Sequence, residues 1–191
     1  YQQICPVRYV FEPTRGKNRA LNRALKDIAA DLVVFTDDDT EPASDWIKQL
    51  VAVANRFPDH QIFGGAIVPA WPHARPAWLT EDLPFGTLYA ATDPDLREGD
   101  ISAGSVWGPN MAIRRDVFDQ GYRLNEAVGP GPGNYAMGSE TELTLRLQRD
   151  GARALFTPSA RVAHRVRADQ MRLKWVLGRA IRNGRGIRIR D

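Results

Sequence analysis

Three consecutive carboxylates, Asp37-Asp38-Asp39, end the short apolar run Leu32-Val33-Val34-Phe35 after Thr36. Adjacent like charges repel, so a fold that places three together needs a counter-charge. Hard divalent cations choose carboxylate oxygens, and a bound cation is the chemistry the triple fits best. The alternative is a solvated strand-to-helix loop whose Asp residues only cap a helix. A second candidate group lies upstream. Lys17, Arg19, Asn22 and Arg23 fall outside the apolar stripe near the start of a predicted helix. The positive end of a helix dipole there favours phosphate, although an ordinary solvated face shows the same pattern.

These residues need elements to position them. The run over 32–35 is short and rich in β-branched residues, which predicts a strand buried on both faces. Open α/β sheets present ligands at the carboxyl ends of such strands. Val7-Arg8-Tyr9-Val10-Phe11 predicts an earlier strand, and the spacing of Ala20, Leu21, Ala24, Leu25 and Ile28 predicts a helix over 17–29. Ser44 reads as an N-cap for a helix whose core face is Trp46, Ile47, Leu50, Val53, Ala54 and Phe57. A strand over 62–68 follows. This alternation predicts a mainly parallel sheet with helices packed on it.

The second half is less regular. Residues 69–104 carry Pro69, Pro72, Pro76, Pro84 and Pro94, interleaved with Trp71, Trp78, Phe85 and Tyr89. Long loops of this kind are often functional. Their aromatics either stack on sugar rings or pack the loop onto the body. Val106–Ile113 reads as a strand with an irregular middle at Gly108-Pro109, before a short helix over 116–120. The Gly-Pro run over 129–133 reads as a mobile lid or a surface loop. A helix opens at Ser139 with Leu143 and Leu147 as its stripe, and short strands over 152–156 and 160–164 flank Pro158. The last helix is predicted over 168–183, ended by Gly184 and Gly186.

Composition narrows the class. With 191 residues, 43% hydrophobic and 26% charged, the chain suits one sizeable globular domain. Net charge is only +3, yet 161–190 holds ten Arg or Lys against Asp169. That asymmetry predicts a surface that meets anions. No recognised nucleic-acid motif accompanies it, so nucleic acid is not expected as a partner. A basic amphipathic helix with Trp175 could instead rest on an anionic leaflet, or be an ordinary solvated face. The single Cys5 excludes an internal disulfide, and no apolar run reaches the ~20 residues of a membrane span. A cytoplasmic location, with contact at the inner face of the membrane, is the expectation.

Several segments then agree in order and spacing. They are Arg15-Gly16-Lys17-Asn18-Arg19-Ala20-Leu21-Asn22, Asp37-Asp38-Asp39, the stretch from Gly108-Pro109-Asn110 to Arg115, the helix start Ser139-Glu140-Thr141-Glu142-Leu143, and Pro158-Ser159-Ala160-Arg161-Val162-Ala163-His164. Together they resemble the family 2 glycosyltransferases with the GT-A fold, over nearly the whole chain. The resemblance implies a Rossmann-like sheet, a nucleotide-diphosphate-sugar donor, a divalent cation (Mg²⁺ or Mn²⁺) and inversion at the anomeric carbon. It implies that Asp39 binds the cation, that Asp37 lies toward the ribose or base, and that Asp38 supports them. Glu140 aligns with the family's general base, since an inverting transfer needs one carboxylate opposite the leaving group. The family more often has Glu-Asp where this chain has Ser139-Glu140. Glu142, nearly opposite on the helix, is expected to cap it or pair with Arg146. His164 stands where a histidine completes the metal site in several relatives. Lys17, Arg19 and Asn22 match the part of the pattern near the donor nucleotide, and Gly108 and Asn110 the part facing the donor sugar. His60 and His73 match nothing and read as incidental. The acceptor is expected to be a saccharide or a lipid-linked molecule.

The resemblance divides the chain into a catalytic domain over 1–167 and a basic helix and tail over 168–191. The family opens with a strand-helix-strand unit that supplies a nucleotide-binding Asp, and nothing before Val7 supplies it here. The strand at Val7 reads as the family's third. The expectation is an amino-terminally truncated domain whose acidic strand is left at an exposed sheet edge. A non-catalytic module that holds a sugar nucleotide or a partner without turnover is the competing reading.

Overall fold

The computed structural model describes residues 6–131 and 135–190. In chain order the elements are α1 (Lys17–Leu25), β1 (Leu32–Phe35), β2 (Thr40–Pro42), α2 (Trp46–Arg56), β3 (Ile62–Ala70), α3 (Phe85–Tyr89), β4 (Gly99–Ile101), β5 (Met111–Arg114), α4 (Arg115–Asp119), α5 (Ser139–Arg149), β6 (Ala154–Arg165) and α6 (Leu173–Arg190). Among the described residues six strands form one sheet, in the order β1-β5-β3-β6-β2, with β4 on β6.

The sheet is mixed rather than mainly parallel. Only β3 and β6 run parallel, and the other pairs are antiparallel. The strand-helix alternation of the first 70 residues misled because β5 returns between β1 and β3 from far along the chain. β1 stands at the sheet edge. Residues 7–11 form no strand, and Val7, Tyr9 and Phe11 are exposed.

Alternation along the strands builds two cores. Val33 and Phe35 of β1, Ile62 of β3 and Met111 and Ile113 of β5 point to the face covered by α1, α4 and α5. Phe63 and Ile67, with Leu155 and Val162 of β6, point to the face covered by α2 through Trp46, Leu50 and Val53. Leu50, Ile62 and Phe63 are fully buried, each contributing about 1.5–3 kcal/mol by leaving water. A third cluster joins the proline-rich segment to α6. Trp71, Phe85 and Tyr89 meet edge-on or tilted, and Trp175 stacks on Tyr89 at 5.6 Å. Of the two readings of these aromatics, packing holds for Trp71, Phe85 and Tyr89, while Trp78 is exposed.

Several boundaries differ from expectation. β6 is continuous through Pro158, because a register shift opposite Gly65/Ala66 absorbs the irregularity. α6 runs through Gly184 and Gly186 instead of ending there. A Cβ on Gly186 would lie 1.9 Å from the Met137 carbonyl oxygen, so that glycine allows helix and loop to touch. Pro132 and Gly133 of the 129–133 run, and Cys5, lie outside the described residues. No helix among the described residues is long and apolar enough to cross a membrane.

Candidate active site

The chain leaves β1 through a tight turn in which Thr40 Oγ1 donates to the Asp37 carbonyl at 2.8 Å. It returns as β2, which pairs with β6 so that Thr40 faces His164. This register brings Asp39 beside His164, with His164 Nε2 3.3 Å from Asp39 Oδ1. The other ring nitrogen, Nδ1, is 2.6 Å from the Tyr89 carbonyl oxygen and donates to it. That bond orients the ring so that Nε2 faces a carboxylate oxygen. A proton or a cation between the two stabilises such a pair. Ala90, which ends α3 next to the anchoring carbonyl, holds the left-handed conformation at φ 56° without being glycine. Such backbone strain gathers at functional sites.

The second half of the site sits on α1 and α5. Lys17, in the first turn of α1, places its ammonium 2.8 Å from Asp37 Oδ1 and 2.7 Å from Glu140 Oε1. Glu140, in the first turn of α5, also accepts from Ser139 Oγ at 2.7 Å. Burial pushes the Glu140 carboxyl up, but the Lys17 charge and the bonds from Lys17 and Ser139 outweigh it and hold it below the usual carboxylate range. Burial pulls Lys17 down, and the Glu140 and Asp37 charges outweigh that, so its ammonium is held above the ordinary lysine value. Gly108 makes room for this arrangement, because a Cβ there would lie 2.7 Å from Glu140 Oε1.

Lys17, Asp37, Asp39, Gly108, Glu140 and His164 therefore meet in one cleft of about 380 Å³. The other sequence-predicted residues do not join them. Asp38 turns out to solvent. Arg19 pairs with Glu126 at 2.9 Å on the surface, beyond the cleft lining. Asn22 exchanges hydrogen bonds with the backbone of Leu124 and staples α1 to that segment. Asn110 is fully buried. It accepts from Trp46 Nε1 and donates to the carbonyls of Ala66 and Ala160, bracing the irregular point where β3 meets β6. Arg19, Asn22 and Asn110, expected near the donor nucleotide or sugar, thus lie outside the cleft lining, Asn22 and Asn110 in scaffold bonds and Arg19 in a surface ion pair. Glu142 pairs with Arg146, as expected. His60, read as incidental, is buried with Nε2 2.7 Å from Asp100. Sequence reasoning missed Arg179, Asn183, Tyr135 and Trp107, which also line the cleft. Arg179 stood out only as one of many arginines in a basic tail.

The donor set suits a hard divalent ion in part. Asp39 and His164 offer one oxygen and one nitrogen, but no group of three His, Cys, Asp or Glu forms a ligand cluster among the described residues. Ions such as Mg²⁺ are commonly held by one or two protein ligands, with substrate phosphates and water completing the shell.

Comparison with known proteins fixes the class. A mixed sheet with helices on both faces is the arrangement of the GT-A glycosyltransferases. Residues 2–186 match the family model described as "Glycosyltransferase like family 2". The chain belongs to that family. It is 26% identical over 188 residues to a glucosyl-dolichyl phosphate glucuronosyltransferase of Haloferax volcanii, covering 97% of this chain and 59% of the relative. It is 25% identical over 163 residues to the O-antigen biosynthesis protein RfbC of Myxococcus xanthus, covering 78% of this chain and 12% of that one. The chain thus spans well under two thirds of the length of either. Among solved structures, GalNAc-T7 with UDP, GalNAc and Mn²⁺ superposes with a TM-score of 0.55 at 18% identity, over 81% of this chain and 31% of that one. S. aureus TarS 1-349 in complex with UDP also gives 0.55, at 12% identity, over 87% of this chain and 45% of that one. These likenesses carry the fold.

Proposed function

We propose that the cleft serves an inverting, divalent-cation-dependent glycosyltransferase that moves a sugar from a nucleotide-diphosphate donor to an acceptor hydroxyl. One observation carries this reading: Lys17 ties Asp37 to Glu140 in the same cleft where Asp39 faces His164. Asp39 and His164 would hold the cation, and Asp37 would lie toward the ribose or base. A bound cation supplies positive charge against the negative charge gathered on a departing diphosphate. Glu140, held ionised by Lys17 and Ser139, takes the acceptor's proton. Lys17 guards that charge state but lowers its basicity. A donor phosphate competing for the ammonium releases Glu140 when it is needed.

A relative named for glucosyl-dolichyl phosphate supports a lipid-linked acceptor, with a saccharide as the other choice. α6 supports contact with an anionic membrane surface. Leu173, Leu177 and Ile181 are each more than half exposed and recur every four residues, flanked by exposed Arg172, Lys174, Arg185 and Arg188.

Calorimetry with Mn²⁺ and a panel of uridine and guanosine diphosphates tests the donor site. Asp39→Asn is expected to remove metal-dependent binding. Unchanged binding in that variant sinks the metal assignment. Binding without any transfer would favour the non-catalytic module.

A further inference from the structure

Arg179 is the cleft residue that the transfer reading leaves without a task. α6 lends the cleft Arg179, Asn183 and Ile187, spaced four residues apart on one helix face. The Arg179 Nε donates to the Thr87 carbonyl at 3.1 Å, and the guanidinium lies 5.4 Å over the Trp175 ring. Its terminal nitrogens have no hydrogen-bond acceptor and no ion-pair partner among the described residues. Burial pulls it below the ordinary arginine value. The guanidinium's fork is therefore open on the cleft side and can pair with an anion that enters. The cleft's lysine cation, Lys17, is already shared by two carboxylates.

Its position within the cleft decides which anion. The Met137 N–H donates to the Arg182 carbonyl at 3.1 Å and Gly186 packs against Met137, so this stretch of α6 lies on the segment that leads into Glu140. Arg179 therefore stands on the base side, on an element separate from the sheet end that carries Asp39 and His164. In the transfer reading, on which this inference rests, the base side is where the acceptor hydroxyl arrives.

We propose that Arg179 and Asn183 form a metal-independent anion subsite that takes a phosphate ester carried by the acceptor. The planar guanidinium fork suits two phosphate oxygens, and the Asn183 amide one turn away can donate to a third. Ile187, a further turn along, offers apolar surface beside it. Two kinds of acceptor carry this chemistry, a soluble glycosyl phosphate and a lipid-linked phosphate.

Calorimetry in EDTA separates them, with glucose 1-phosphate in solution and farnesyl phosphate in phosphatidylcholine vesicles as probes. The whole chain is expected to bind at least one probe saturably, and the tighter arm names the source. Arg179→Gln is expected to weaken binding at least about tenfold, the loss of a charged hydrogen-bond pair. Arg179→Lys, which keeps the charge and stem but not the fork, falls between, and its thermal melt checks folding. Asp39→Asn stays within about threefold of the parent, a change of well under 1 kcal/mol. The proposal is overturned if neither probe binds, or if Arg179→Gln binds as the parent does. It is equally overturned if Asp39→Asn loses as much as Arg179→Gln, which would return the anion to the metal side. The transfer reading is scored separately, by Mn²⁺-dependent UDP binding: Asp39→Asn removes it and Arg179→Gln keeps it. Loss of UDP binding in Arg179→Gln would assign the residue to the donor and defeat the acceptor subsite.

Discussion

Two sets of polar side chains, one buried and one half-buried, divide this molecule. Asn22 and Asn110 are neutral, and their amides bond mainly to backbone groups of distant segments. Lys17, Asp37, Glu140, Asp39, His164 and Arg179 are ionisable, share one cleft and only partly satisfy one another. A satisfied buried amide specifies architecture, because leaving it unpaired is costly and no ligand is required to pair it. Charges left partly uncompensated in a concave site are what a charged substrate completes. The difference teaches that burial and polarity alone do not mark chemistry. Incomplete compensation does.

The largest expected effect falls on the cleft. Glu140→Gln should lower transfer by about 10²–10⁴-fold, the usual worth of a general base. Its urea midpoint should fall only modestly, because Lys17 keeps its ion pair with Asp37. Full activity in this variant would remove Glu140 from the cleft's chemistry and break the contrast at its centre.

Asn110→Ala should do the reverse. It strands the Trp46 indole and two carbonyls in the interior. A loss of about 3 kcal/mol in equilibrium unfolding is expected from unsatisfied buried groups. Mn²⁺-dependent nucleotide binding by the folded fraction should be unchanged. A selective loss of binding at full stability would place Asn110 with the cleft after all.

Gly108→Ala lies on the border of the two sets. The added methyl would meet the Glu140 carboxylate at 2.7–2.8 Å, and a flexible carboxylate can swing away. Transfer should fall by about 10–100-fold, as small misplacements of reacting groups do. Stability should change by less than about 1 kcal/mol, since the clash is with a side-chain end.

The smallest effect is on pH dependence. Because Lys17 and Ser139 hold the Glu140 carboxyl down, this pair stabilises the fold above the ordinary carboxylate range. That contribution is lost as acid takes the pH down through the lowered value. The raised Lys17 ammonium works oppositely: its contribution is present below the ordinary lysine value and is lost only in strong alkali. Lys17→Met should therefore move the acid limb of the pH–rate profile to higher pH and lower stability near neutral pH, with the difference from the parent closing as the pH falls. An unmoved acid limb would show that Lys17 does not tune the base.

Much of the site was legible in residue types. Asp37 and Asp39 of the acidic triple, Glu140 at the start of the helix and the histidine after Pro158 each line the cleft. Helical periodicity placed α2 and α5 nearly to their ends, because an amphipathic stripe is a local property. The strand at Val7 and the parallel sheet failed for the opposite reason. Pairing partners are non-local, and β5 inserts beside β1 from 75 residues or more downstream. The aromatic loop could not be resolved from sequence, since stacking on sugar and packing on Tyr89 use the same residues.

The sequence by itself determined the family, the acidic turn and the carboxylate that opens α5, because those depend on residue type at fixed short spacings. Only the tertiary structure decided which of the three Asp residues face inward, since the register of β2 on β6 puts Asp39 against His164 and leaves Asp38 in solvent. It also decided that Asn110 is a brace and Arg179 a cleft residue. Both outcomes depend on which distant backbone happens to lie within 3 Å or so of a side chain, and no spacing along the chain encodes that distance.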